Sequence, residues 1–319
     1  MVCEDDYPSG RAVADPTVLF GFGIPQVVGR SHFDVASLRS MLVATERLGF
    51  HSAWIMDQPL TTAPALEPIT TLGYAAAVTE SVHLGTAVVL TTLRQPVQLA
   101  MDLATLDQLS GGRLIVGVGL GERTEYYPAL GISASHRVAR FMEGLELLKR
   151  LWTEDSVTFT GRFWQAEGII AQPKPVQRPH PPIWFGGRSK PAIDRAVRNG
   201  DGWIGAGIAT VDQFKEQASL VRATLDAMRR DPATFTVAKR LYIAVSSDRE
   251  RSLERMRAWS KAFYGDTSMA DEAAVVGDLA FCMQRVTELC NSGANLIVLN
   301  PVFDVVEQME LLVGAISAL

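Results

Sequence analysis

From Val18 onward the chain alternates short β-rich runs with longer stretches of helical period, and this alternation restricts the fold more than any other feature of the sequence. Strands joined through helices run parallel, because each helix carries the chain back to the same end of the sheet. Strand candidates fall at 18–22, 53–56, 82–90, 113–118, 182–185, 202–204, 240–245 and 295–299. Helices are expected near 35–49, 65–80, 96–110, 136–153, 189–199, 212–229, 248–260, 271–291 and 304–317. Local chemistry marks several boundaries: Asp34 suits a helix N-cap, Gly49 a left-handed stop, and Ser110, Gly111 and Gly112 the end of the third helix. Eight βα units in roughly 300 residues match a (β/α)8 barrel, with an open doubly wound sheet as the alternative.

The longest break in the alternation is 155–182. Its first part, VTFTGRFW, places Gly161 between two β-prone runs and predicts a hairpin. Its second part, QPKPVQRPHPP, carries five prolines from Pro173 to Pro182 and excludes helix or central strand. An ordered insertion followed by an extended connector is expected there. Residues 1–17 read as a polar leader and 18–319 as one domain.

At 319 residues and 47% apolar, such a domain can hide roughly 75% of its extended-chain surface without covalent staples. Thirty Lys and Arg against 35 Asp and Glu leave a net charge of −5 and no dense basic run, so nucleic acid is not an expected partner. Cys3, Cys282 and Cys290 suit neither a disulfide framework nor a metal site; the last two lie about 80° apart around one helix and read as small core residues. His32, His51, His83, His136 and His180 lack metal-ligand spacing, and His51 and His83 fall at strand starts, the structural end of a barrel. No metal is expected. With no export signal and no apolar run long enough to span a bilayer, a soluble cytoplasmic protein without membrane contact is expected.

Gly117-Val-Gly-Leu-Gly121 invites a dinucleotide reading, but Glu122 stands where the fingerprint needs its third glycine. Alternate glycines at a strand exit either leave room for a flat ring or serve barrel packing. Ile183-Trp-Phe-Gly186-Gly187-Arg188-Ser189-Lys-Pro191 passes from strand to helix start, so the N–H groups of Gly187, Arg188 and Ser189 can seat an anion, with Ser189 alternatively a plain cap. Asp57 and Glu122 are carboxyl groups at strand exits, which in a barrel converge on one mouth. Each can move a proton or cap a loop; capping suits Asp57 better and proton donation suits Glu122.

Three stretches then point to a family. Leu84-Gly-Thr-Ala-Val-Val with Leu93-Arg-Gln-Pro, Ala104-Thr-Leu-Asp-Gln-Leu-Ser-Gly-Gly-Arg-Leu-Ile-Val-Gly-Val-Gly-Leu-Gly121, and Arg178-Pro-His-Pro-Pro-Ile-Trp-Phe-Gly-Gly-Arg-Ser189 with Gly200-Asp-Gly-Trp203 resemble the bacterial luciferase-like flavin and deazaflavin oxidoreductases. The resemblance runs in order from about residue 18 to 260. It implies a luciferase-like TIM barrel holding coenzyme F420 or FMN over the strand ends. The ring would lie near Gly119 and Gly121 and the phosphate near Gly186, Gly187, Arg188 and Ser189, and the Ala87–Val88 bond matches a non-proline cis peptide behind the ring.

Among deazaflavin members a glutamate after the glycine strand is the proton donor, the place held here by Glu122. Their Asp-His pair is Asp57-Gln58 here, and glutamine exchanges no proton near neutral pH. The resemblance therefore implies hydride transfer between F420 and a small organic substrate in a homodimer, with Glu122, Asp57 and Gln58 as the catalytic set. An FMN-dependent monooxygenase is the alternative, and a cofactor-binding protein without turnover a third reading.

Overall fold

The computed structural model describes residues 18–27, 33–58, 63–121, 123–125 and 127–316. Eight parallel strands close into a barrel. They are β1 (Leu19–Gly23), β2 (Ser52–Ile55), β3 (His83–Thr86) continued by β4 (Val89–Leu90), β5 (Leu114–Gly119), β8 (Ile183–Gly186), β9 (Gly202–Gly205), β10 (Thr236–Val245) and β12 (Leu296–Asn300). Neighbours pair in that order, and β12 returns to β1 with Leu19 opposite Leu296. The open-sheet alternative is thereby excluded. A short strand, β11 (Val275–Gly277), adds to the far part of β10.

The helices form where the sequence marks them. They are α1 (Val35–Arg47), α2 (Pro68–Val78), α3 (Pro96–Leu109), α4 (Arg137–Thr153), α5 (Lys190–Asn199), α6 (Val211–Ala227), α7 (Arg249–Tyr264), α8 (Leu279–Asn291) and α9 (Val305–Ile316). Asp34 accepts from the backbone N–H of Ala36 and Ser37, satisfying two of the donors a helix start leaves bare. Gly49 adopts φ +80° after α1, the left-handed stop its type permits. Glu67 and Gln95 cap α2 and α3, each followed by a proline at the first helical position.

Three expectations need correction. The run 82–90 is two strands, because the chain bulges at Ala87 and Val88 and re-pairs with β5 only from Val89. The helix expected from 271 begins at Leu279: a π-turn (Met269–Ala273) and β11 come first, since Val275 and Val276 are buried against β10. The hairpin is present as β6 (Val157–Thr160) and β7 (Gln165–Ile169), but its second strand lies after Arg162-Phe163-Trp164 rather than within them. Glu143 of α4 explains the shift, accepting from the N–H groups of Arg162, Phe163 and Trp164 and so holding them as a turn. The proline-rich connector is fastened by Asp107, fully buried, which accepts from the N–H groups of Val176 and Gln177.

Two cores result. The larger lies between barrel and helices. The smaller fills the barrel with Trp54, Ile115, Trp184, Ile204, Ala238, Leu296 and Val298. Trp54 and Trp184 stack there with ring centroids 5.2 Å apart, so one end of the barrel is plugged and a ligand has room only at the other. Cys282 belongs to the larger core, and burial pushes its thiol up to about 12. No described helix is long and apolar enough to cross a membrane.

Candidate active site

The C-terminal strand ends surround a cavity of about 600 Å³. Asp57, Gln58, Ala87, Val88, Gly119, Gly121, Gly186, Gly187, Arg188 and Ser189 all line it. Glu122 lies outside the described residues, between Gly121 and Arg123, which both line the cavity.

The Ala87–Val88 peptide is cis. It is held on every side: Ala87 N–H donates to Ile55 O at 2.7 Å, Val88 O accepts from Asp57 N–H at 3.3 Å, and Ala87 O accepts from Arg240 Nη1 at 3.2 Å. This bulge also accounts for two of the alternate glycines, Gly117 and Gly119, and for Gly186 on β8. A Cβ at Gly117 would strike the carbonyl oxygen of Thr86, one at Gly119 would strike Val88 Cγ2, and one at Gly186 would stand 2.8 Å from Val88 Cγ1. The space those glycines leave is therefore filled first by the bulge, and Val88 presents itself to the cavity. At Gly117 and Gly119, packing against the bulge by itself requires glycine.

Asp57 is almost fully buried and its carboxylate is committed. Oδ2 accepts from Leu90 N–H at 3.0 Å and from Arg94 Nε and Nη2 at 3.2 and 3.0 Å, while Arg94 reaches on to Glu67 at 2.9 Å. Burial pushes this carboxyl above the ordinary aspartate value, against the pull of Arg94 and the Leu90 N–H. Its contacts clamp the segment after the bulge. Gln58, next to it, is half-buried on the cavity wall.

At the anion seat, α5 starts after Ser189, whose extended backbone (φ −81°, ψ 153°) lets its carbonyl accept from Ala192 and Ile193. The Ser189 side chain makes no capping bond, so capping does not account for it. Gly187 has φ +144°, and a Cβ there would stand 2.6 Å from that of Ala192, so only glycine brings this turn against the helix. Arg188 is exposed at the rim.

Sequence reasoning missed the cavity's remaining charges. Arg123, Arg137, Arg195 and Arg240 join Arg188, giving five arginines against the single carboxylate of Asp57 among the described lining residues. Arg137 donates to Gly121 O at 3.0 Å, and Arg123 donates to Tyr264 O. Arg240 was findable: Lys239-Arg240 is a charged pair inside an otherwise apolar strand. The other arginines sit on helices and loops with nothing local to distinguish them. At the opposite end of the barrel, His51 and His83 stack at 4.5 Å between centroids. No group of three or more metal-ligating side chains occurs among the described residues.

Known proteins share this architecture. The chain is 31% identical to an F420-dependent glucose-6-phosphate dehydrogenase of Kineococcus radiotolerans, over 72% of this chain and 69% of that one. It is 32% identical to an FMNH(2)-dependent dimethylsulfone monooxygenase of Pseudomonas putida, over 65% and 58%. The crystal structure of monooxygenase RslO1 from Streptomyces bottropensis superposes with a TM-score of 0.79 at 26% identity, covering 94% of this chain and 99% of that one. An uncharacterised Mycobacterium tuberculosis protein is 39% identical over 140 residues, 44% of this chain, and the chain spans about half that relative's length (49%). The sequence model of the luciferase-like monooxygenases matches residues 17–294 and so takes in every strand of the closed barrel except β12; the chain belongs to that family.

Proposed function

We propose that this chain transfers hydride between a deazaflavin of the coenzyme F420 type and a small organic substrate. The observation that carries the reading is the charge of the cavity: five arginines and one committed carboxylate among the described lining residues. FMN brings one phosphate, whereas F420 brings a phosphodiester and a tail of carboxylates, and a ligand of greater negative charge draws more from such a mouth. The apolar inner wall, with Val88, Leu90, Phe185 and Ile204, suits a flat tricyclic ring, and the volume lies in the usual range for such sites. When bound, the deazaflavin supplies two-electron hydride chemistry that resists oxygen.

The chain's own residues do the rest. Val88 supports the ring from the bulge, and the start of α5 with Arg188 takes the phosphate. Asp57 and Arg94 keep the segment after the bulge in register. Gln58 orients substrate, and Glu122 holds the proton that completes reduction. An enzyme without a histidine at position 58 favours reduction of an activated double bond over alcohol oxidation.

Titration of the apoprotein with F420 and with FMN, followed by fluorescence, tests the reading. Tighter F420 binding, with the gap narrowing as salt rises, is expected. Tighter FMN binding, with oxygen consumed from reduced FMN, would overturn it in favour of a monooxygenase, the reading that the Pseudomonas relative favours. Hydride transfer to any acceptor would dispose of a binder without turnover.

A further inference from the structure

Arg240 is a buried cation whose partners among the described residues are all neutral. It lies on β10 with 6% of its surface exposed, and it lines the cavity. Nη1 donates to Ala87 O at 3.2 Å, and Nη2 donates to the hydroxyls of Tyr242 and Tyr264, each at 2.8 Å. The Tyr242 ring lies 4.9 Å beneath the guanidinium. Among the described residues no carboxylate pairs with it, and its only charged neighbour in sequence is Lys239, fully buried and bonded to the carbonyls of Ala206 and Ala209. Nε is itself buried and has no acceptor among the described residues.

Beside Nε the chain is kept thin, since a Cβ at Gly207 would stand 2.7 Å from it. Tyr264 shares the cavity wall, and its hydroxyl lies 2.7 Å from that of Tyr242. A guanidinium taken from water without a counter-charge is costly unless something arrives to compensate it. Here the side chain also borders a ligand cavity. Both Arg240 and Tyr264 can donate to one oxygen placed there.

We propose that Arg240, assisted by Tyr264, seats the carbonyl oxygen of the substrate, which makes the substrate a conjugated carbonyl compound. This rests on the hydride-transfer reading above. Hydride from the reduced deazaflavin forms a C–H bond at the β-carbon, the carbon–carbon π pair moves to make the enolate, and the negative charge settles on the oxygen held by Arg240. One proton, from Glu122 or from water, then adds at the α-carbon and completes a two-electron reduction. A fixed cation aimed at the atom where charge develops stabilises the transition state more than the ground state.

The test needs no cofactor. 4-Nitrophenol is a flat mimic of the enolate, and its absorbance separates phenol from phenolate. The apoprotein should bind it as phenolate and lower its titration midpoint by about one unit or more, a tenfold preference for the anion. Arg240→Met should abolish the shift and weaken phenolate binding by about 10- to 100-fold, the range for a charge-assisted hydrogen bond. Arg240→Lys should keep part of the shift.

If Arg240→Met does not fold, Tyr264→Phe and Arg240→Lys carry the test, each with a reduced shift beside an unchanged melting temperature. A probe bound as neutral phenol, or a shift indifferent to Arg240 and Tyr264, overturns the proposal. Failure of F420 to bind while the phenolate shift stands would instead remove the hydride reading and leave the oxyanion seat.

Discussion

The close fit between the bulge and its glycines can be tested with Gly119→Ala. The neighbouring case gives the scale: a Cβ at Gly186 would lie 2.8 Å from Val88 Cγ1 where ordinary contact begins near 3.4 Å, an overlap of about 0.6 Å, and the overlap at Gly119 with Val88 Cγ2 is larger. Overpacking on this scale costs about 1 to 3 kcal/mol. In a domain of this size that lowers the melting temperature by about 2 to 4 °C per kcal/mol. The obstacle at both sites is a γ-methyl of Val88, so Val88→Ala should relieve Gly119→Ala and Gly186→Ala, with a coupling of about 0.5 to 3 kcal/mol in a double-mutant cycle. Gly117→Ala meets the backbone carbonyl of Thr86 instead, and Val88→Ala should not relieve it. Thermal unfolding of the three single variants and their pairs with Val88→Ala decides the matter. Equal relief at all three glycines, or none, would refute the account of why this strand needs them.

Glu122→Gln should lower turnover by about 100-fold or more while cofactor affinity stays the same, because it keeps the shape and removes the proton; parental turnover across the pH profile would place the acid elsewhere. Arg188→Ala should weaken binding of a phosphorylated cofactor by about 1 to 3 kcal/mol and leave ring-only analogues untouched, by titration; equal loss for both denies the phosphate contact. Asp57→Ala strips Arg94 of its buried partner and leaves Leu90 N–H without an acceptor, so denaturant unfolding should show a loss of about 3 kcal/mol or more. Burial, and then the neighbouring His83, lower His51 to about 4 from an ordinary 6.5, and burial lowers His83 as well. The native pair therefore stays neutral while the unfolded chain takes up protons. Stability should be full above about pH 6.5 and fall as pH drops toward 4, and His51→Gln should flatten that slope in urea unfolding at several pH values. An unchanged slope would show that the pair does not titrate on unfolding.

The barrel itself was legible in the chain because its determinants are local. Caps such as Asp34, stops such as Gly49, and the change from helical to strand period each act within a few residues, and eight repeats of strand and helix leave few ways to close. Glycines and the Arg188 turn at the mouth were legible for the same reason, as short motifs at strand ends. Other features depend on residues far apart in sequence. The break in the third strand is set by its neighbours: β2 binds Ala87 N–H, β10 binds Ala87 O, and the glycines of β5 and β8 yield the room. Asp57 became a clamp only when Arg94 came within 3.0 Å of it. The strand β11, too short to show a period, exists because β10 runs past the barrel and offers an edge. Arg240 read as an oddity in an apolar strand. Barrel closure brought it to Ala87 and Tyr264, 153 and 24 residues away, and no local pattern encodes which charges meet across a closed sheet.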